Sequence, residues 1–206
     1  MELTSPQTDA LTELINIGYG RAAGALSELT GYRVNLEVPR IGMHPISEIP
    51  PLLSRLVRGD VATVTQVFSG PLAGTAMLML DEKTAMVLSG LLSDANSNPL
   101  GFDANGREII SEVGNILLNA CLGVFGNLLQ VQVTFAMPKL QVSEAGRVIE
   151  TVTVDSEELQ YGLMIHTRFQ VRTSNVTGFL VILLGITSLD RLLRELDNWE
   201  TRQTAP

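Results

Sequence analysis

Two stretches of the chain repeat their apolar residues at helical period. At about 100° per residue, Leu11, Leu14, Ile15, Ala22, Leu26 and Leu29 share one face of a helix over roughly 7–30. Ile110, Val113, Leu117, Cys121, Val124 and Leu128 do the same over roughly 104–129. Pro6 and Thr8 suit the first helix start, and Asp103 or Asn105 the second. The opposite faces are polar or small: Asp9, Glu13, Asn16, Gly20, Ala23 and Ser27 on the first helix; Glu108, Glu112, Asn115, Asn119, Gly123 and Gly126 on the second.

Each long helix is followed by a short strand, about 32–38 and 131–137, expected to end at Pro39 and Pro138. An irregular stretch comes next. Two strands in hairpin relation then follow in each half: about 62–69 and 73–80 around Gly70–Pro71, then about 162–172 and 177–184. Short helices close the halves at about 82–92 and 187–196, and the tail 197–206 is expected to be flexible. The turn-rich segment 93–102 reads as the linker between halves.

The two halves share more than their order. At an offset of 99, Glu13 meets Glu112, Asn16 meets Asn115, Gly24 meets Gly123, Val34 meets Val133 and Pro39 meets Pro138, with no gap. Residues 74–92 lie over 178–196 at an offset of 104, the slip falling in a polar insertion around 143–158. The prediction is an internally duplicated α+β domain with repeats at about 7–92 and 104–196. Its long helices pack on an antiparallel sheet, with pseudo-two-fold symmetry.

Composition narrows the function. The 206 residues carry a net charge of −8, with 14 Lys and Arg against 22 Asp and Glu. That balance argues against nucleic acid and against anionic membrane surfaces. A single cysteine permits no internal disulfide. The opening MELTSPQTD lacks the basic and apolar regions of a signal peptide, and the strongly apolar run near 176–186 is too short to span a bilayer. The expectation is a cytoplasmic protein without membrane insertion.

The outward faces hold the candidate chemistry. A solvated helix face usually carries Lys, Glu, Gln and Arg; here an acid and an amide stand one turn apart among Gly, Ala and Ser. Glycine inside a helix costs about 1 kcal/mol relative to alanine, so a low surface for close approach is a reason to keep it. The neighbour is either the chain's own sheet or another protein. An amide does not titrate, but it can hold a water by donating and accepting hydrogen bonds. A carboxylate beside it can pair with a cation. Such a pair suits a reaction whose electrophile and metal arrive with the substrate, as in phosphoryl transfer.

The full spacing is acid, three residues, Glu, two residues, Asn, twenty-two residues, Pro. It occurs as Asp9, Glu13, Asn16 and Pro39, and again as Glu108, Glu112, Asn115 and Pro138. This resembles the CheC/CheX/FliY family of phosphatases that dephosphorylate the chemotaxis response regulator CheY, and two complete sites resemble CheC most. The resemblance implies that Asn16 and Asn115 orient the water attacking an aspartyl phosphate. It implies that Glu13 and Glu112 contact a lysine of the regulator. It also implies that the Mg²⁺ belongs to the regulator, the protein having no cofactor of its own, and that CheD is a further partner. Glu108 departs from the family's Asp or Ser. The alternative is a non-catalytic adaptor of the FliM type, a related fold without the Glu and Asn pairs.

Other features compete poorly. Residues 18–24, GYGRAAG, miss the dinucleotide fingerprint in spacing and follow no strand. His44 and His166 lack metal-ligand spacing, and Cys121 lies on the core stripe. The purified protein is therefore expected to hold no stoichiometric transition metal. Elemental analysis checks this, and one tightly held ion per chain would contradict it.

Overall fold

The computed structural model describes residues 3–57, 59–92, 103–154, 159–171 and 173–204. The predicted linker at 93–102 and the end of the polar insertion, 155–158, lie outside them. The long helices form where the pattern places them: α1 is Ser5–Thr30 and α4 is Ala104–Leu128. Thr4, rather than Thr8, caps α1. Its side chain accepts from the Gln7 N–H at 3.3 Å, and Gln7 Oε1 accepts from the Thr4 N–H at 3.0 Å. Gly31, at φ 70°, closes α1 in the left-handed conformation that suits glycine. Asp103 caps α4 by accepting from the Gly106 N–H at 2.8 Å.

Between the long helices lie β1 (Val34–Pro45), α2 (Ile49–Leu56), β2 (Asp60–Ser69), β3 (Gly74–Asp81) and α3 (Glu82–Leu92). After α4 come β4 (Thr134–Phe135), β5 (Lys139–Glu144), α5 (Ala145–Val154), β6 (Leu159–Val171), β7 (Ser174–Gly185) and α6 (Ile186–Thr204). The strands form one curled antiparallel sheet in the order β1-β6-β7-β3-β2, with β4 and β5 both paired to the far edge of β2. Fold class is thus mixed helix and strand, as the pattern indicated.

Several boundaries differ, each for a physical reason. β1 does not stop at Pro39. It runs on to Pro45 along β6, with a register shift between Glu37 and Arg40. Proline donates no ladder hydrogen bond, and an edge strand with a bulge has room for it. The stretches read as irregular contain α2 and α5. In α2 the pair Pro50–Pro51 suggests a loop, yet proline is at home in a helix's first turn, where N–H groups lack intrahelical partners. α6 continues to Thr204, past the predicted end at 196.

These extra helices make three layers. One face of the sheet packs through Ala76, Leu78, Ile165 and Ile182 against α1, α3, α4 and α6. The other packs through Met77, Met79, Val181 and Leu183 against Ile49 and Leu53 of α2 and Val148 and Ile149 of α5. The central strands are buried on both faces, so β3 reads TAMLML rather than alternating. The core stripe of α4 is buried throughout, but Leu29 of α1 is 62% exposed. By length and composition α4 is apolar enough to cross a bilayer; 56% of its most apolar stretch is buried inside the fold instead.

Two glycines fix how the long helices meet each other and the sheet. At Gly18 of α1, an added Cβ would lie 3.1 Å from the Cys121 Cα and 3.4 Å from the Ala120 carbonyl oxygen of α4. At Gly114 of α4, it would lie 2.5 Å and 2.6 Å from Cγ1 and Cβ of Val64 on β2. Nearby, the buried Tyr19 hydroxyl hydrogen-bonds the Thr167 hydroxyl, tying α1 to β6. Burial, then the neighbouring Cys121, push the Tyr19 phenol well above its ordinary pKa, against a smaller lowering by the Thr167 bond. Gly114→Ala is expected to destabilise the fold by about 1–3 kcal/mol through overpacking. Val64→Ala should recover part of that loss. A double-mutant cycle of denaturant midpoints checks it, and simple additivity would contradict the contact.

Candidate functional site

The outward faces of α1 and α4 present the predicted residues. Glu13 and Asn16 are both exposed on α1, one turn apart. Glu112 is exposed on α4, while Asn115 is half-buried. Three of the four outward-facing side chains are thus exposed, and Asn115 lies part-way down without entering the core. Its Oδ1 accepts from Asn119 Nδ2 at 2.8 Å, and both side chains are half-buried. Asp9 and Glu108, one turn before each Glu, are exposed. Pro39 sits in the bulge region of β1, and Pro138 immediately precedes β5.

The two helices pack on each other, so the pairs stand on adjacent elements of one layer. No hydrogen bond or ion pair links one pair to the other among the described residues. The clefts described do not include the pairs either. A cleft of about 680 Å³ opens beside Val67, Thr75 and Gln160, and another of about 550 Å³ beside Arg55, Asp60 and Lys83. Neither contains any of the four residues. A group on an open helix face meets its substrate only when that substrate brings its own surface, as a folded protein does.

The small residues around the pairs divide in two. An added Cβ at Gly20, Gly24 or Gly123 would meet nothing within 4 Å. The chain's own sheet is therefore not what these three approach. Gly126 is different, contrary to its predicted outward position. It is buried, and its added Cβ would lie 3.2 Å from the Val131 carbonyl oxygen, where the chain turns back after α4.

Residues 7–43 match the CheC-like family. The chain resembles CheC-like proteins. It is 24% identical over 166 residues to the CheY-P phosphatase CheC of Bacillus subtilis, spanning 78% of each chain. Its fold resembles the crystal structure of Thermotoga maritima FliY, with a TM-score of 0.73 at 19% identity, covering 99% of this chain and 100% of that one. The middle domain of FliM from H. pylori also resembles it, with a TM-score of 0.66 at 10% identity over 94% and 99% of the two chains. At these identities the structural likenesses speak of fold alone.

The remaining candidates behave as ordinary residues of the fold. Cys121 is fully buried, and burial pushes its thiol pKa up. His166 stacks on Phe179 with ring centroids 5.1 Å apart. Burial, then Arg168 and Arg40, lower its pKa. Among the described residues no three His, Cys, Asp or Glu side chains group so as to hold a metal.

Sequence reasoning placed Asn119 on the polar face but gave it no task. The i, i+4 spacing was the available signal, since amides so spaced can hydrogen-bond along a helix. Asn16→Ala removes an exposed side chain and should change stability by about 0.5 kcal/mol or less. Asn115→Ala also removes a hydrogen bond and should cost about 0.5–1.5 kcal/mol. Chemical denaturation of both variants checks the difference, and equal costs would contradict it.

Proposed function

We propose that the protein is a phosphatase acting on the aspartyl phosphate of a CheY-like response regulator in chemotaxis signalling. The observation that carries the reading is the exposed Glu-x-x-Asn pair on each of two packed helices, outside any cleft described, in a chain similar to a CheY-P phosphatase. An acyl phosphate already has a good leaving group. What its hydrolysis needs on this reading is an aligned water.

On this reading Asn16 or Asn115 reaches the phosphoryl group when the regulator docks. The carboxamide hydrogen-bonds a water and aims its oxygen at phosphorus. The new P–O bond forms as the bond to the aspartate oxygen breaks, the carboxylate leaves with the electron pair, and the proton lost by the water ends on the released phosphate or in bulk water. Glu13 or Glu112 pairs with a lysine of the regulator and sets the docking register. Magnesium comes with the regulator as part of the substrate. The open ground over Gly20, Gly24 and Gly123 lets a partner's backbone come close. The reading also takes the protein as cytoplasmic, with CheD as a second partner.

The duplication belongs to the same reading. The first half runs long helix, strand, helix, hairpin, helix, and the second repeats that order with the two-residue strand β4 added before β5. β1 flanks β6 as β5 flanks β2, and β3 meets β7 at the middle of the sheet. A pseudo-two-fold axis between β3 and β7 would relate the pairs as two sites of one domain, from about 7–92 and 104–196.

A FliM-type adaptor is the competing reading, favoured by the fold likeness to the FliM middle domain. Catalysis separates the two. Asn16→Ala and Asn115→Ala should each leave partial activity, and the double variant should lose roughly a hundredfold, the scale that misalignment costs. Phosphate release from a purified phosphorylated regulator, with excess Mg²⁺, measures this. Wild-type rates in the double variant would remove the pairs from catalysis, and no acceleration of phosphate release by the wild type would leave the adaptor reading standing.

A further inference from the structure

The two Asn residues meet different surroundings at the next helical turn. Four residues beyond Asn115 stands Asn119, whose Nδ2 donates to Asn115 Oδ1 at 2.8 Å. Four residues beyond Asn16 stands Gly20, exposed and with nothing within 4 Å of an added Cβ. Asn16 therefore has no such neighbour to fix its amide. The difference lies at equivalent places, because the offset of 99 that aligns the Asn pair also aligns Gly20 with Asn119.

The Asn119 amide is poorly served by the fold itself. Its Oδ1 is buried and finds no partner among the described residues. An unpartnered buried carbonyl costs stability, and replacing an amide by an apolar side chain removes that cost. Asparagine is also a weaker helix former than alanine or leucine. Position 119 thus keeps a side chain that harms the helix and leaves one polar atom unsatisfied. Its one bond goes to the residue proposed to aim the water.

We propose that Asn119 is a positioning residue for the second site. It fixes the Asn115 carboxamide with Oδ1 turned along the helix and Nδ2 turned outward. An amide rotates about its last side-chain torsion with a broad preference, so an unsupported Asn presents either its acceptor or its donor. With Oδ1 engaged, Asn115 offers N–H groups to whatever docks. Asn16 offers either end. The second site is preorganised and the first is adaptable, a difference in orientation that does not depend on docking.

The catalytic side of this inference rests on the phosphatase reading, whereas the orientation does not. The first measurement is therefore free of activity: side-chain amide NMR of the full chain. The Asn115 NH₂ should be ordered on the ps–ns timescale, and the Asn16 NH₂ mobile. Asn119→Ala should bring Asn115 to the mobility of Asn16. If Asn115 is already as mobile as Asn16 in the wild type, or stays ordered in Asn119→Ala, the inference is overturned whether or not the protein is a phosphatase.

The second measurement is phosphate release in an Asn16→Ala background, where only the second site works. Asn119→Ala should lower kcat by about tenfold to a hundredfold, the cost of lost alignment, with KM nearly unchanged. Asn119→Asp keeps the size but can only accept at neutral pH, so it turns the Asn115 amide round; it should lose at least as much kcat. Wild-type kcat in either variant, or a change confined to KM, would overturn the positioning role. In the converse background, Asn115→Ala, Gly20→Asn should raise kcat of the first site. No gain there would sink the claim that orientation separates the two sites. Absence of any phosphate release by the wild type would defeat the functional reading alone, and the NMR result would still decide the orientation.

Discussion

The close crossing of α1 and α4 at Gly18 sets the rest of the structure. A side chain there would push against the Cys121 backbone, so the two helix axes could not approach as they do. Their approach lets both apolar stripes descend onto the same face of one sheet. Once the stripes are committed to the core, the polar faces must turn outward. Glu13, Asn16 and Glu112 are therefore exposed as a consequence of packing.

The second contact, Gly114 over Val64, seats α4 directly on the sheet. The buried bond between Tyr19 and Thr167 seats α1 on β6 in a comparable way. Around these fixed points the sheet is covered on its other face by α2 and α5, which keeps Met77, Met79, Val181 and Leu183 from water. At about 25 cal/mol per Å² of apolar surface removed from water, such a layer is a main source of stability. It leaves the outer faces of α1 and α4 free of structural duty. A rigid scaffold with an open, low helix surface suits recognition of another folded protein.

The proposed sites are unequal in their immediate neighbours, and the inequality has a simple origin. Along a helix, one residue four places on decides whether an amide is steadied or free. Asn119 does this for Asn115, and Gly20 does nothing for Asn16. Two sites built on one spacing can thus differ in preorganisation without any change in the Glu and Asn themselves.

The sequence alone determined what depends on local periodicity. The helical phase of 5–30 and 104–128, the burial of Leu117 and Cys121 and the outward turn of Glu13 and Asn16 follow from a period of 3.6 residues and an apolar stripe. The hairpins β2–β3 and β6–β7 were legible from turn residues between apolar runs. Tertiary structure decided whatever depends on partners distant in the chain. β1 continues past Pro39 because β6 supplies a ladder on which a bulge can sit. Residues 49–56 and 145–154 carry apolar residues at helical spacing, Ile49 and Leu53 among them, a signal that the Pro50–Pro51 pair masked; which face of the sheet they cover was decided only by the fold. Leu29 lies on the predicted stripe yet remains exposed, while Gly126 is buried where the chain turns back on it. Asn115 is half-buried for a reason that mixes the two. The spacing to Asn119 is written in the sequence, but whether two amides bond or face water depends on how deeply the fold seats the helix between them.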